Sequence, residues 1–286
     1  MGSVSSSSGR RRGRTAIAAR DGCDLASPLG ERPSGCHAGG VGPGASLTNV
    51  KIPSQRGGLG GYLAQPEGDG PWPGVVVIFD AGGLTGDTVR QCDWLASEGF
   101  RAVAPDLYRG RRIARCLVSV IRDANRGAGD VFDDIADTRD WLEASPHSNG
   151  HSGVLGFCMG GGFALLLAPG HGFAASAPNY GGLPKNPTRT LAGACPIVAS
   201  YGGRDRTQRH AAQRLDEVLG DLGVVHDVKE YPEAGHGFMN DHEGAGDRIP
   251  LVFSVMGRWA RNGFHEPSAR DARRRIVAFF EQHLEA

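Results

Sequence analysis

Residues 156–160, Gly-Phe-Cys-Met-Gly, place a cysteine between two glycines, each two positions away from it. The apolar residues 154–157 predict a strand before Cys158, and residues 162–168 predict a helix after it. A nucleophile at a strand-to-helix turn is held in a strained backbone conformation, so the residues two positions away must be small. The spacing therefore predicts that Cys158 is a nucleophile whose thiolate attacks an acyl carbon.

An acid and a histidine follow Cys158 in the order that such a turn requires, each predicted at the carboxyl end of a strand. Residues 196–201 predict the next parallel strand but one, and Asp205 lies in its terminal loop. His236 follows the last predicted strand, residues 225–231, and glycines on both sides allow its loop to turn back over the sheet. We therefore predict a catalytic triad of Cys158, Asp205 and His236.

Other acids and histidines in this part of the chain are placed less favourably. Asp216 and Asp221 lie in a predicted helix, and Asp227 lies within a predicted strand, so none of them ends a strand. The nearest rival histidine is His242, six residues after His236.

Cysteine reacts as the thiolate, so its pKa must fall below the free-thiol value of about 8.5. The amino end of the helix that begins near Met159 and the imidazole of His236 both favour the thiolate. We expect the backbone N–H of Met159 to form half of an oxyanion hole. The N–H of Ala81, in the loop after predicted strand 75–79, is expected to form the other half.

Strand-like and helix-like segments alternate from residue 50 onward. Strands are predicted at residues 50–53, 61–64, 74–79, 102–104, 154–157, 174–178, 196–200 and 225–231, and helices at 85–97, 112–122, 131–142, 162–168, 210–222 and 269–284. The first two strands flank a glycine-rich turn and predict an N-terminal hairpin. The alternation predicts right-handed crossovers, and thus an α/β fold with a mostly parallel central sheet flanked by helices.

Residues 1–46 differ in composition from residues 47–286, which we predict to form the single domain. Serine dominates residues 3–8, arginine residues 10–14, and glycine and proline residues 30–44, so this segment is predicted to be a disordered tail. Three origins stay open: a plain tail, a mis-assigned start codon, or an organelle transit peptide, which is typically rich in arginine and serine and poor in acids.

Charge and cysteine usage argue against several classes of protein. The formal net charge is +0 and the sequence pI is about 7.1, so we expect no binding to nucleic acid or to a membrane. The 6 cysteines show no zinc-ligand spacing, so no metal site is predicted. The N-terminus has no apolar signal region and no apolar stretch approaches the ~20 residues that span a bilayer, so we expect a cytoplasmic location.

Four motifs together resemble the dienelactone hydrolase (carboxymethylenebutenolidase) family. They are Gly-Phe-Cys-Met-Gly-Gly, Gly-Gly-Arg-Asp, Ala-Gly-His-Gly-Phe and Ala-Pro-Asp-Leu-Tyr, and the similarity covers about residues 50–284. The resemblance implies a single α/β-hydrolase domain without a cofactor. It also implies hydrolysis of an enol-lactone or related ester through a thioester intermediate.

The resemblance suggests roles for further residues. Family members hold a glutamate after the third strand that partners the thiol, and Asp80 occupies the matching position with a side chain one methylene shorter. Characterised members bind the substrate carboxylate with an arginine four residues after the histidine, where this chain has Asn240. A substitute could come from the nearby cluster Arg109, Arg111, Arg112 and Arg115. The candidate substrate-binding residues are Tyr108, Arg111, Tyr180 and Asn240.

Several alternatives stay open at this point. Residues 250–259 predict either a short lid helix over the pocket or an ordinary surface helix. The substrate is either a dienelactone or another ester, lactone or thioester, so a general carboxylesterase or thioesterase is an alternative. A non-catalytic binding protein or a thiol-redox protein on the same scaffold is the alternative from a different class. We expect a small-molecule ester or lactone as partner, and a monomer or weak homodimer.

Overall fold

The computed structural model describes residues 47–111, 113–247 and 263–285. All of them belong to one compact unit. The tail predicted at residues 1–46 and the lid predicted at residues 250–259 lie outside the described residues, and so do the side chains of Arg112 and Arg115.

An eight-stranded sheet with the strand order β1-β2-β4-β3-β5-β6-β7-β8 forms the centre of the described part. Its strands are β1 (Val50–Ile52), β2 (Leu59–Ala64), β3 (Trp72–Ile78), β4 (Arg101–Pro105), β5 (Ser148–Phe157), β6 (Ala175–Asn179), β7 (Ile197–Gly202) and β8 (His226–Tyr231). The described helices are α1 (Gly86–Ser97), α2 (Ile113–Arg126), α3 (Asp130–Glu143), α4 (Met159–Leu167), α5 (Pro187–Thr190), α6 (Ala211–Asp221) and α7 (Glu266–Leu284).

The predicted N-terminal hairpin and parallel sheet are both confirmed. Strands β1 and β2 pair antiparallel, and β2 pairs antiparallel with β4. Every other pairing in the sheet is parallel. Because parallel strands end at the same edge, the loops after β3, β5, β7 and β8 meet at one side of the sheet.

The alternation of side chains along β3 explains why helices cover both faces of the sheet. Val75 and Val77 pack in the same apolar cluster as Leu95 of α1 and Ile276 of α7. Val76 and Ile78, on the opposite face, pack in the cluster formed with α3 and α4. A continuous β-branched run is therefore buried on both sides, as expected for a central parallel strand.

The observed elements depart most from the predicted ones in three places. Strand β5 begins at Ser148, six residues earlier than predicted, and Ser148 pairs with Trp72 of β3. Helix α2 ends at Arg126 rather than at residue 122. The single-turn helix α5 was not predicted, and it begins where the Asn186 side chain accepts a hydrogen bond from the Arg189 amide. Among the described residues, no helix has the length and apolar character needed to cross a membrane.

Candidate active site

Cys158 lies at the turn between β5 and α4, with φ 53° and ψ −110°. This conformation is strained for a residue with a side chain and persists only where the surroundings impose it. A Cβ atom at Gly156 would lie 2.0 Å from the carbonyl oxygen of Gly160, and a Cβ atom at Gly160 would lie 2.2 Å from the carbonyl oxygen of Ile78. Both positions therefore require glycine, and the turn packs directly against the carboxyl end of β3.

Asp205 and His236 reach this edge of the sheet from the loops that follow β7 and β8. The Nδ1 atom of His236 lies 2.6 Å from Oδ2 of Asp205. The Asp205 side chain is fully buried, and its other oxygen accepts bonds from the backbone N–H (2.8 Å) and the hydroxyl (2.6 Å) of Thr207. Burial raises the pKa of Asp205, but the bonds from His236 and Thr207 outweigh it and lower that pKa. Asp205 is therefore an ionised acceptor that orients the imidazole.

The imidazole of His236 also interacts with the thiol of Cys158. Since Asp205 occupies Nδ1, the nitrogen left for the sulfur is Nε2. Burial lowers the pKa of His236, but the hydrogen bonds and charges of Asp205 and Cys158 outweigh it and raise the pKa to about 10. The structure therefore brings the three predicted triad residues together, with His236 between Asp205 and Cys158.

The two amides predicted for the oxyanion hole lie on the two sides of this turn. Met159 is the first residue of α4, and amides in the first turn of a helix have no acceptor within it. Ala81 lies in the loop after β3. The peptide that follows Ala81 is held at both ends, because the Gly82 N–H donates to Asp80 Oδ1 at 2.7 Å and the Tyr108 hydroxyl donates to the Ala81 carbonyl at 3.1 Å.

Tyr108, a candidate substrate-binding residue, lies beneath this loop. It is buried, and a Cβ atom at Gly83 would lie 2.9 Å from its ring. Burial, together with the charges of Asp80 and Cys158, raises the pKa of the Tyr108 hydroxyl, so it is a neutral donor. Its contacts hold the loop in place, and its contact with substrate stays a prediction.

Asp80, the predicted thiol partner, is bonded to a second histidine. Its Oδ2 atom lies 2.9 Å from Nε2 of His242, and Nδ1 of His242 lies 3.0 Å from Oδ2 of Asp247. The sequence identifies His242 only as a rival base. Its contact with Asp80 could not be predicted, because the two residues are 162 positions apart and no local pattern joins them. The role of Asp80 toward the thiol of Cys158 stays a prediction.

Tyr180 and Asn240, two further substrate-binding candidates, are bonded to each other. The Tyr180 hydroxyl donates to Oδ1 of Asn240 at 2.6 Å, and Nδ2 of Asn240 donates to Asp87 at 2.6 Å. Tyr180 is 0% exposed and its ring lies edge-on to that of His236, at 5.3 Å between centroids. Both polar groups are buried and bonded, and the amide of Asn240 lacks the positive charge that an arginine would supply.

Arg111, the fourth candidate, is exposed and lines a cavity of about 330 Å³. Tyr108 also lines this cavity, but Cys158 and His236 do not. Arg109, a neighbour in the same cluster, forms a bidentate pair with the buried carboxylate of Asp134, with Nε 3.1 Å from Oδ2. Its charge is therefore committed to α3, and a substrate contact by Arg111 stays a prediction.

The other described cysteines lack the environment of Cys158. Cys92 and Cys116 are buried, and burial raises the pKa of Cys92 well above its usual range. Burial also raises the pKa of Cys195, to about 12. Among the described residues, no group of three or more histidine, cysteine or carboxylate side chains is arranged to hold a metal ion.

Comparisons with known proteins agree on one family. The sequence profile of the dienelactone hydrolase family matches residues 59–284. A carboxymethylenebutenolidase of Pseudomonas putida is 29% identical over 206 residues, which cover 66% of this chain and 84% of that protein. A protein of Yersinia pestis, provisionally named a carboxymethylenebutenolidase, is 27% identical over 257 residues, which cover 84% of this chain and 90% of its own length.

The fold is also similar to solved structures. A crystal structure from Klebsiella pneumoniae, provisionally titled a dienelactone hydrolase, superposes with a TM-score of 0.66 at 27% sequence identity. The match covers 82% of this chain and 97% of that chain. The similarity therefore extends over nearly the whole of that molecule.

Proposed function

The chain belongs to the dienelactone hydrolase family and is a hydrolase of carboxylic ester bonds, and we propose that it works through a cysteine nucleophile and a thioester intermediate. The observation that carries the proposal is the position of His236, which joins a buried carboxylate at Nδ1 and interacts with the thiol of Cys158. Nucleophile, base and orienting acid thus form one connected set, as covalent acyl transfer requires.

In the proposed first half-reaction, the Cys158 thiolate attacks the acyl carbon and the carbonyl π electrons move to oxygen. The N–H groups of Met159 and Ala81 donate to this oxyanion. When the oxyanion re-forms the carbonyl, the bond to the alcohol oxygen breaks and His236 delivers its Nε2 proton to the leaving alkoxide. The products are the free alcohol and a thioester on Cys158.

In the second half-reaction, His236 is neutral and accepts a proton from water. The resulting hydroxide attacks the thioester carbon, and collapse of the second oxyanion breaks the C–S bond. The thiolate and the imidazolium are restored and the carboxylic acid is released. Asp205 stays ionised throughout and keeps the imidazole oriented.

The substrate class follows from the surroundings of Asn240. The resemblance places an arginine at this position in characterised members, whereas here Asn240 is buried between Tyr180 and Asp87. A substrate carboxylate therefore meets no positively charged side chain at this position. We propose that the chain acts on an ester or lactone without a carboxylate beside the scissile bond.

The experiment compares wild type, Cys158→Ala and the control Cys195→Ala on p-nitrophenyl acetate and on a cis-dienelactone. Cys195 is a suitable control because burial keeps its thiol protonated. We expect wild type and Cys195→Ala to turn over the simple ester, and Cys158→Ala to be inactive with an unchanged melting temperature. Mass spectrometry of a quenched reaction should find the acetyl group on Cys158.

The outcomes separate the parts of the proposal. Retained turnover by Cys158→Ala contradicts the assigned nucleophile. Preferential turnover of the cis-dienelactone contradicts the proposed substrate class and requires another group to bind the carboxylate. No turnover of either substrate by wild type would favour the binding or redox alternative.

A further inference from the structure

A second histidine array lies next to the catalytic one. His242 bonds Asp80 through Nε2 at 2.9 Å and Asp247 through Nδ1 at 3.0 Å. The three side chains are mostly buried, with 14% of His242, 20% of Asp80 and 11% of Asp247 exposed. Since a carboxylate only accepts hydrogen bonds, both ring nitrogens must carry protons to make the two bonds.

The charge of this array is consistent with its geometry. Burial lowers the pKa of His242, but the bonds and charges of Asp80 and Asp247, with the charge of Asp87, outweigh it and raise the pKa to about 9. His242 is therefore an imidazolium at neutral pH. With no ring nitrogen left over, it cannot exchange a proton with a substrate as His236 can.

One end of the array leads to the predicted oxyanion loop. While Oδ2 of Asp80 accepts from His242, Oδ1 accepts the Gly82 N–H at 2.7 Å, and the Asp80 carbonyl accepts the Gly83 N–H at 3.2 Å. The peptide between Ala81 and Gly82 is thereby fixed, and with it the direction of the preceding Ala81 N–H. The orientation of one carboxylate thus sets the position of a donor on which acylation depends.

The other end of the array is anchored to α1. Oδ1 and Oδ2 of Asp247 accept the first two amides of the helix, Gly86 N–H at 2.8 Å and Asp87 N–H at 3.0 Å. Carboxylates at this position are favoured by the helix dipole. His242 therefore connects a rigid helix end to the loop that carries Ala81.

Asp80 and Cys158 lie at the same end of two paired strands. Ile78 of β3 pairs with Gly156 of β5 in the parallel register. Asp80 follows Ile78 by two positions, and Cys158 follows Gly156 by two positions. Both charges also act on the Tyr108 hydroxyl. An uncompensated carboxylate here would oppose formation of the thiolate, whereas His242 supplies the compensating charge.

We propose that His242 is a positioning residue of the ester-hydrolysing site: as an imidazolium between Asp247 and Asp80, it fixes Asp80 so that the Ala81 amide points at the oxyanion, and it neutralises Asp80 beside Cys158. This inference rests on the proposed function. It assigns Asp80 to the loop, in contrast to the role as thiol partner that the family resemblance implies.

The variant Asp80→Asn separates these two roles. An asparagine keeps the acceptor for the Gly82 N–H and can donate its amide to a neutral His242, so the loop stays in place without the charge. We expect Asp80→Ala to lose about 10²-fold in the rate of acylation by p-nitrophenyl acetate, the cost of misplacing a group by about 1 Å, and Asp80→Asn to lose much less. An equal loss in both variants means that the carboxylate itself activates the thiol and overturns the proposal.

The double variant tests the charge. His242→Gln should lower acylation because Asp80 is left without its cation, and adding Asp80→Asn should recover most of the loss. The control His226→Gln removes a histidine that also bonds a carboxylate, Asp216, but lies at the opposite end of the β8 strand from the site, and it should not change the rate. A double variant no better than His242→Gln alone contradicts charge compensation.

An NMR titration examines the array independently of turnover. The His242 signals are identified as those missing from His242→Gln, and in wild type they should show two protonated nitrogens and a midpoint near pH 9. A neutral His242 at pH 7 overturns the proposal even in an active enzyme. Conversely, a wild type that shows no Cys158-dependent turnover defeats the proposed function and the positioning role with it, while the titration still decides whether the charged array exists.

Discussion

Two histidines at the same edge of the sheet differ in how many of their ring nitrogens are occupied by carboxylates. His236 has one such partner, Asp205 at Nδ1, and its other nitrogen is left for the interaction with the thiol of Cys158. His242, six residues later, has a carboxylate at both nitrogens. In His236, one carboxylate orients the ring and the proton on Nε2 can be transferred. In His242, both N–H groups donate to carboxylates, so neither proton is available for transfer.

This difference shows that proximity to the reacting group does not define a base. Both histidines have a pKa raised by carboxylates against the effect of burial. Only His236 combines that charge with an open nitrogen, which is the geometric requirement for general acid–base chemistry. A shifted pKa identifies a site, and hydrogen-bond occupancy identifies the task of each residue within it.

The largest expected effect comes from removing the imidazole of His236, whose Nε2 has no carboxylate partner. His236→Gln should lower kcat/KM for p-nitrophenyl acetate by about 10²–10⁴-fold, the usual contribution of a general acid–base group. It should also slow alkylation of Cys158 by iodoacetamide below pH 7, because the thiolate loses its cation. Stopped-flow turnover and mass-spectrometric alkylation rates measure the two effects.

The matched change, His242→Gln, should affect the two readouts unequally. Turnover should fall because the proposed role of the Ala81 amide and the charge on the thiol are both affected, whereas alkylation needs no oxyanion hole and should fall less, only by the effect of the uncompensated Asp80 charge. Alkylation that falls as far in His242→Gln as in His236→Gln would break the comparison, since both histidines would then serve the thiol.

The positions of the three proposed catalytic residues could be predicted from the sequence, because each depends on a local pattern. The glycines around Cys158 and His236 and the strand preceding Asp205 are visible in short segments, and the parallel sheet brings the strand ends together. The structure places these residues as expected, with the 2.6 Å contact between Asp205 and His236. Their catalytic roles stay a prediction.

The second array could not be predicted, because its contacts join distant parts of the chain. Asp247 meets the start of α1 across 161 residues, and His242 meets Asp80 across 162. Nothing near Asn240 in sequence indicated that its amide would be buried against Asp87. The spacing of residues in a short segment can identify a residue at the carboxyl end of a strand. A hydrogen-bond partner from a distant loop can be identified only from the folded structure.

The next expected effect concerns the stability of the protein and the carboxylate of Asp247, which joins the second array to α1. Asp247→Asn keeps one acceptor for the first amides of α1 but loses the second acceptor and the negative charge, and it should lower the free energy of unfolding by about 1 kcal/mol, the upper end of the usual effect of a charge at a helix amino terminus. Urea unfolding followed by circular dichroism measures the change. The control Asp216→Asn, which removes an exposed partner of His226, should leave stability unchanged. Equal stability of Asp247→Asn and wild type would show that Asp247 does not anchor the array to α1.

The last expected effect is the pH dependence of stability due to His242, observed as a difference between two proteins. Three carboxylates face its ring: Asp80 from the loop after β3, Asp247 from its own loop and Asp87 from α1. They raise the pKa of His242 to about 9, above the unfolded value of about 6.5. A group whose pKa is raised on folding stabilises the protein fully below its unfolded pKa, and that contribution is lost as the pH rises through the folded pKa.

The difference in unfolding free energy between wild type and His242→Gln should therefore be largest below about pH 6.5 and should shrink as the pH approaches 9. Urea unfolding of both proteins across this range measures it, and the titration of His236 largely cancels because both proteins contain it. A difference that stays constant with pH would mean that His242 stabilises the loop by packing alone. In that case His242 would not carry the charge that its two carboxylate contacts predict. The proposed difference, a transferable proton on His236 and two hydrogen-bonded protons on His242, would no longer hold.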